Sequence, residues 1–210
     1  FTDFDSYRER HWVHHNKFGT DDDTKETYLK NIKGKKLFLI FIECIFLKHA
    51  LIKFLKPIER KLDKNFKPLK RVVIVQLFFF NTLVLFNFFF SENDLEMTLT
   101  RSLFSYSIIY VYGLASFGVF ISILRAIAEH QVLEPSSYIV GRGTLRNLKC
   151  NFITRMIFGS YGFSEHATHH KYPSIPYYNL VLATNFFRRK NKLLEYRTGY
   201  IQTLIQLCKT

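Results

Sequence analysis

Residues 72–90 read VVIVQLFFFNTLVLFNFFF, a run without a single charge. It approaches the ~20 apolar residues that a bilayer-spanning helix needs. Residues 103–124, LFSYSIIYVYGLASFGVFISIL, are likewise uncharged. The alternative is a pair of buried core helices in a soluble protein. Unbroken phenylalanine runs with sharply charged flanks argue for membrane spans instead.

The flanks orient this pair. Residues 56–71, KPIERKLDKNFKPLKR, are dense in Lys and Arg, which marks a cytoplasmic side. Residues 91–100, SENDLEMTLT, are short and acidic to neutral, as a non-cytoplasmic turn would be. The second span then returns the chain to the cytoplasm at Arg125, so a transmembrane hairpin over 72–90 and 103–124 is expected. Upstream, KKLFLIFIECIFLKHALIKFL is apolar only from Leu37 to Leu47 and is interrupted by Glu43, Lys48 and Lys53. That reads as an interfacial or re-entrant helix over 36–55, its lysines reaching to the headgroups. Residues 1–35 and 125–210 then share one face of the membrane. The stretch LLEYRTGYIQTLIQLC, 193–208, mixes apolar and polar residues at helical spacing and is expected to lie along that face.

Composition agrees. The 210 residues suit one domain, and 30 Lys plus Arg against 17 Asp plus Glu give a net charge of +13. A basic chain suggests nucleic acid when the charge covers a soluble fold. Here the charge clusters beside apolar runs, so the expected partner is a membrane surface and no nucleic acid. Three cysteines, Cys44, Cys150 and Cys208, are odd in number and have no C-x-x-C spacing, which excludes a disulfide framework or a zinc ribbon. The chain begins at Phe1 with no signal-peptide pattern, and this start reads as a truncation.

Only eight histidines are present, and six form two copies of H-x-x-H-H. His11, His14 and His15 make one copy; His166, His169 and His170 make the other. On a helix, positions i, i+3 and i+4 share a face, so each copy is expected to present three imidazoles toward one point. Neutral imidazole suits iron, zinc, copper or nickel. His130, in LRAIAEHQ, falls about one and a half turns beyond the second span, on the side the boxes share. Alone it would read as a surface residue; beside two boxes it reads as a seventh ligand. His49 lies in the interfacial stretch without evident partners. Seven imidazoles exceed what one tetrahedral zinc uses, so a two-metal site is the simpler account. The zinc-protease pattern H-E-x-x-H is absent. Glu9, Asp21, Asp22, Asp23, Glu129 and Glu165 could accept from outer ring N–H groups. For all but Glu129 and Glu165, which adjoin ligands, a solvated charge is the simpler role.

The two boxes, RAIAEH after a membrane hairpin, and HATHHKYPSIPYYNL resemble the membrane fatty acid desaturases and their hydroxylase and ketolase relatives. The resemblance runs from YRERHWVHHNKFGTDDD to about Leu180, and the tail of the last box is its most specific part. It implies an all-α, multi-pass membrane helical protein with a cytoplasmic cap holding the boxes. By this resemblance His11, His14 and His15 match the second box, His166, His169 and His170 the third, and His130 the additional histidine. It also implies two iron ions (Fe2+/Fe3+), dioxygen as co-substrate, a lipid acyl substrate and an external electron donor, ferredoxin- or cytochrome b5-like. No catalytic residue beyond the metal ligands is expected. The activity implied is acyl-chain desaturation. A hydroxylase or ketolase on the same scaffold is the near alternative, and a non-catalytic metal-binding or metal-transporting membrane protein the distant one. The family's first box, H-x-x-x-H, has no match in residues 1–10. Residues 1–210 alone are therefore expected to bind fewer than two irons and to turn over no lipid.

Overall fold

The computed structural model describes residues 4–25, 30, 32–55, 67–90, 94–133, 139–159, 162–190 and 197–209. They are mostly helical, with a few short strands. The chain divides into two units, one built on Ile42–Val119 and the other on Phe4–Phe41 with Phe120–Thr210.

In the first unit the phenylalanine-rich run forms a helix, Lys67–Phe88. A second helix, Leu95–His130, begins here. Asp94 caps it by accepting from the Met97 backbone N–H at 3.1 Å. It is longer than the span expected over 103–124. Its 36 residues extend about 54 Å, well past a hydrocarbon core of about 30 Å. Two of its stretches, Tyr106–Tyr112 and Leu114–Gly118, are wound as π-helix. Among the described residues it alone is long and apolar enough to cross a membrane; Val73–Phe88 is apolar but shorter. The tight turn expected between the two helices is partly outside the described residues, as are residues 56–66 of the basic flank.

Some polar residues of the apolar runs face each other. Tyr106 donates to Gln76 Oε1 at 2.6 Å, and Gln76 Nε2 donates to the Tyr110 hydroxyl at 2.8 Å. Asn87 Nδ2 donates to Ser102 Oγ at 3.1 Å. These bonds join the two helices through polar side chains set in apolar runs. Outward, Phe78 is 74% and Ile109 68% exposed, so these helices are not the buried core of the unit.

The stretch expected as one interfacial helix is two, Lys35–Ile45 and Lys48–Leu55. Leu47 breaks it with a left-handed φ of 58°. Across the break Glu43 meets two neighbouring side chains, Lys48 and His49, the latter at 2.9 Å. His49 therefore has a partner after all.

The second unit is not purely helical. With α1 (Phe4–Lys17), α2 (Lys35–Ile45), α3 (Lys48–Leu55), α4 (Lys67–Phe88) and α5 (Leu95–His130) so numbered, its later elements are α6 (Phe152–Ile157), α7 (His166–Lys171), α8 (Leu180–Arg189) and α9 (Tyr200–Lys209). Four short strands interrupt them. β1 (Ile139–Val140) pairs antiparallel with β2 (Gly143–Thr144), and β3 (Asn147–Lys149) pairs parallel with β4 (Arg197–Gly199), Leu148 opposite Thr198. Strands of two or three residues are too short to carry an alternating pattern. Residues 193–196, expected as part of a terminal helix, lie outside the described residues; the helix itself starts at Tyr200.

Phe18, Leu145 and Ala167 form a buried cluster with Val140 packed on it, so the end of α1, the β1–β2 hairpin and α7 share one small core. Gly19 ends α1 with φ +78°, the left-handed conformation that suits glycine at a helix C-terminus. It sits back to back with Gly141 (φ +56°), and Arg142 N–H donates to the Gly19 carbonyl at 2.9 Å. A Cβ on Gly19 would lie 2.1 Å from the Val140 carbonyl oxygen. Gly19→Ala is expected to cost about 2–5 kcal/mol from backbone strain plus overpacking. Thermal unfolding measures it, and an unchanged Tm would mean that α1 and the hairpin do not meet this way.

Candidate metal centre

Both boxes are helical. His11, His14 and His15 sit on the last turns of α1, and His166, His169 and His170 occupy α7. His130 is the last residue of α5. A buried clasp sets the height of α7. Asn147 on β3 donates to Thr168 Oγ1 at 2.9 Å and accepts from the Thr168 N–H at 3.2 Å, while Thr168 and the α8 residue Thr184 join hydroxyls at 2.7 Å.

The seven rings meet, but a box does not aim at one point. His14, His130, His166 and His170 form one group, and His11, His15 and His169 another. Within each group one ligand atom per residue lies within 4.8 Å of every other. Helical geometry divides the boxes: position i+4 is turned about +40° from i, whereas i+3 is turned about −60°. In α1 the i and i+4 residues, His11 and His15, enter the three-histidine group and His14 enters the other. In α7 the i and i+4 residues, His166 and His170, enter the four-histidine group and His169 crosses to the first. The two groups adjoin where His15 stacks on His170, ring centres 4.1 Å apart.

The Nε2 atoms of His11, His15 and His169 form a triangle with edges of 2.9, 3.0 and 3.2 Å. Three nitrogens that close cannot all satisfy one another, since a neutral imidazole has one donor and one acceptor. A first-row divalent ion can. It holds imidazole nitrogen at about 2.1 Å, which puts ligands at right angles about 3.0 Å apart and tetrahedral ones about 3.4 Å apart. The triangle fits one face of an octahedral shell. In the four-histidine group, His166 Nε2 and His130 Nε2 are 2.9 Å apart, and His170 Nε2 is buried with no hydrogen-bond partner among the described residues. Donor type, spacing and unsatisfied nitrogens all fit a pair of divalent metals.

Burial keeps the rings neutral. It is the first cause lowering His11 and His15 to about 3 and His169 to about 4, with repulsion from Lys25 or from neighbouring rings adding to it. His14, His166 and His170 are pushed down for the same first reason. Neutral rings keep their lone pairs available at pH 7. Phe18 walls the four-histidine side, its ring centre 4.9 Å from His130 and 5.1 Å from His170.

Of the carboxylates, Asp23 departs from the solvated role expected of it. It is 2% exposed and accepts from His14 Nδ1 at 2.7 Å, which leaves Nε2 of His14 as the ligand atom. Glu129 and Glu165 are buried as well, and burial raises the Glu165 carboxyl above its usual range. Glu9 is exposed; Asp21 pairs with Arg142 and Asp22 with Lys17 at the surface. Lys25, Arg146, Asn147 and Tyr200 were not foreseen as neighbours of the boxes. Only Tyr200 left a trace in the pattern: with Thr203 and Leu207 it makes a buried stripe at i, i+3 and i+7 of α9.

Two adjoining histidine groups that could each hold a metal ion are thus carried on helices of a chain with one extended apolar helix. The chain belongs to the fatty acid desaturase family, whose model matches residues 1–203. No curated protein and no solved structure matches the chain.

Proposed function

We propose that this chain forms part of an oxygen-dependent membrane oxidoreductase that desaturates lipid acyl chains with two iron ions, His14, His130, His166 and His170 contributing ligands to one and His11, His15 and His169 to the other. The division of seven imidazoles, three buried and four half-buried, into two adjoining groups is the observation that carries this reading. When bound, iron supplies the oxygen activation and one-electron chemistry that removing hydrogen from an unactivated methylene requires, which acid–base groups cannot. The chain's own residues hold the site ready. Burial keeps the rings neutral, Asp23 keeps the proton on Nδ1 of His14, and Phe18 excludes water from the four-histidine side. Residues 1–210 have no glycine-rich nucleotide loop or cysteine cofactor motif, so reducing equivalents reach this stretch from outside it.

The test is product analysis of the natural full-length chain in membranes supplied with a reductant and labelled acyl lipid. Two irons per chain and an alkene product are expected. A hydroxylated or oxo product would transfer the chain to its hydroxylase or ketolase relatives. Two irons with no oxidised lipid under any donor would overturn the reading.

The chain is further proposed to be multi-pass, with both boxes on the cytoplasmic side. A reporter fused near Asn93, which lies outside the described residues, should then report the opposite side from one near Lys190. Both on one side would remove the hairpin.

A further inference from the structure

Behind the four-histidine group lies a buried network that ends on a helix far from either box in sequence. Glu129 is 2% exposed, and its Oε1 accepts from Arg125 Nε at 2.7 Å and from the Tyr200 hydroxyl at 2.9 Å. Its other oxygen, Oε2, faces Nδ1 of His166 at 3.6 Å. The opposite nitrogen of that ring, Nε2, is the one that meets His130. Arg125 is itself covered by the Phe163 ring, 4.0 Å from its guanidinium carbon. Tyr200 is 1% exposed and stacks on Phe158 with ring centres 5.0 Å apart and planes 16° from parallel.

A buried tyrosine hydroxyl always needs an acceptor, so the bond to Glu129 could be packing alone. Its place argues otherwise. Two donors, one of them cationic, converge on a single carboxylate oxygen and fix the carboxylate plane. The remaining oxygen is left facing the imidazole nitrogen that points away from the site. A carboxylate there favours a proton on Nδ1 and so a lone pair on Nε2. The parallel β3–β4 pairing brings Tyr200 to this spot, since β4 ends at Gly199 and β3 begins with the residue that clasps Thr168. The C-terminal segment is thereby built into the site.

We propose that Tyr200 is a positioning residue of the four-histidine group: with Arg125 it fixes the Glu129 carboxylate, which holds the proton on Nδ1 of His166 and turns Nε2 toward the metal. This rests on the two-iron reading above. Asp23 meets Nδ1 of His14 more closely, at 2.7 Å, so buried carboxylates face that nitrogen in two of the four rings.

The experiment uses the natural full-length chain, stripped of metal and titrated with ferrous iron, with Mössbauer spectra separating the two unequal sites. Tyr200→Phe keeps the stacking ring and removes only the hydroxyl. It is expected to weaken iron at the four-histidine group by about 10- to 100-fold while leaving the three-histidine group as in the wild type. Glu129→Gln, which keeps the shape and removes the charge, should show the same selective loss. Equal weakening at both sites would mean a merely structural role and would overturn the proposal, as would unchanged affinity at both. If the unaltered protein binds no iron, the two-iron reading falls and this inference falls with it. If the unaltered protein binds two irons and Tyr200→Phe binds both as tightly, only the inference falls.

Discussion

His169→Ala in the natural full-length chain should abolish turnover and lower bound iron from two per chain to about one. Of the residues described here the three-histidine group would keep only His11 and His15, and losing one of three imidazoles from this chain weakens its hold on a divalent ion. The four-histidine group loses no member, so the iron that remains should be spectroscopically that of the richer site. His170→Ala should spare the other iron instead, although its ring stacks on His15 and its loss also loosens that neighbour. Iron analysis and product analysis on the two variants decide the matter. Full activity, or two irons retained, in His169→Ala would end the assignment of that residue.

Arg146→Met is expected to cost as much stability as Gly19→Ala and, unlike it, to reach the metal centre through the end of α5. The guanidinium is 2% exposed and crosses the C-terminal end of α5, donating from Nη2 to the Gln131 carbonyl at 2.5 Å and from Nη1 to the Ala128 carbonyl at 3.3 Å. Those are carbonyls that a helix end leaves without intrahelical partners, and a cation there also meets the negative end of the helix dipole. Methionine fills much of the volume but donates nothing. Stranding two buried carbonyls costs about 2–5 kcal/mol in total. His130 sits between them in sequence, so iron at the four-histidine group should weaken as well. Arg146→Lys, which restores a cation, should recover part of both losses. A Tm within error of the wild type for Arg146→Met would show that the helix end does not depend on this residue.

Much of the site could be read directly. H-x-x-H-H is a local pattern, and helical periodicity is enough to place its three rings on one side of a helix. How the rings divide could not be read, because 40° and 60° offsets matter only once a second helix stands opposite. His130 was legible for a similar reason: it closes an apolar run whose direction the charged flanks suggested. Asp23 looked like one of three consecutive aspartates after a glycine, and only the fold separates it from Asp21 and Asp22. Arg146, Asn147 and Tyr200 lie in or directly beside strands of two or three residues. No sequence period records a ladder that short. The long apolar helix was visible as composition, yet its ends were not, since polar residues such as Ser102 and Glu129 continue it by bonding to partners distant in sequence.

The crossed membership of the boxes bears on how such a centre could arise. Each helix supplies ligands to both groups, two to one and one to the other. Take away α1, and the groups shrink from four and three to three (His130, His166, His170) and one (His169). Take away α7 instead, and they shrink to two (His14, His130) and two (His11, His15). Losing either box thus damages both groups, and in neither case is one group left whole. A sequence change that shifts α1 or α7 is therefore felt at both groups at once, so neither helix can drift without the other.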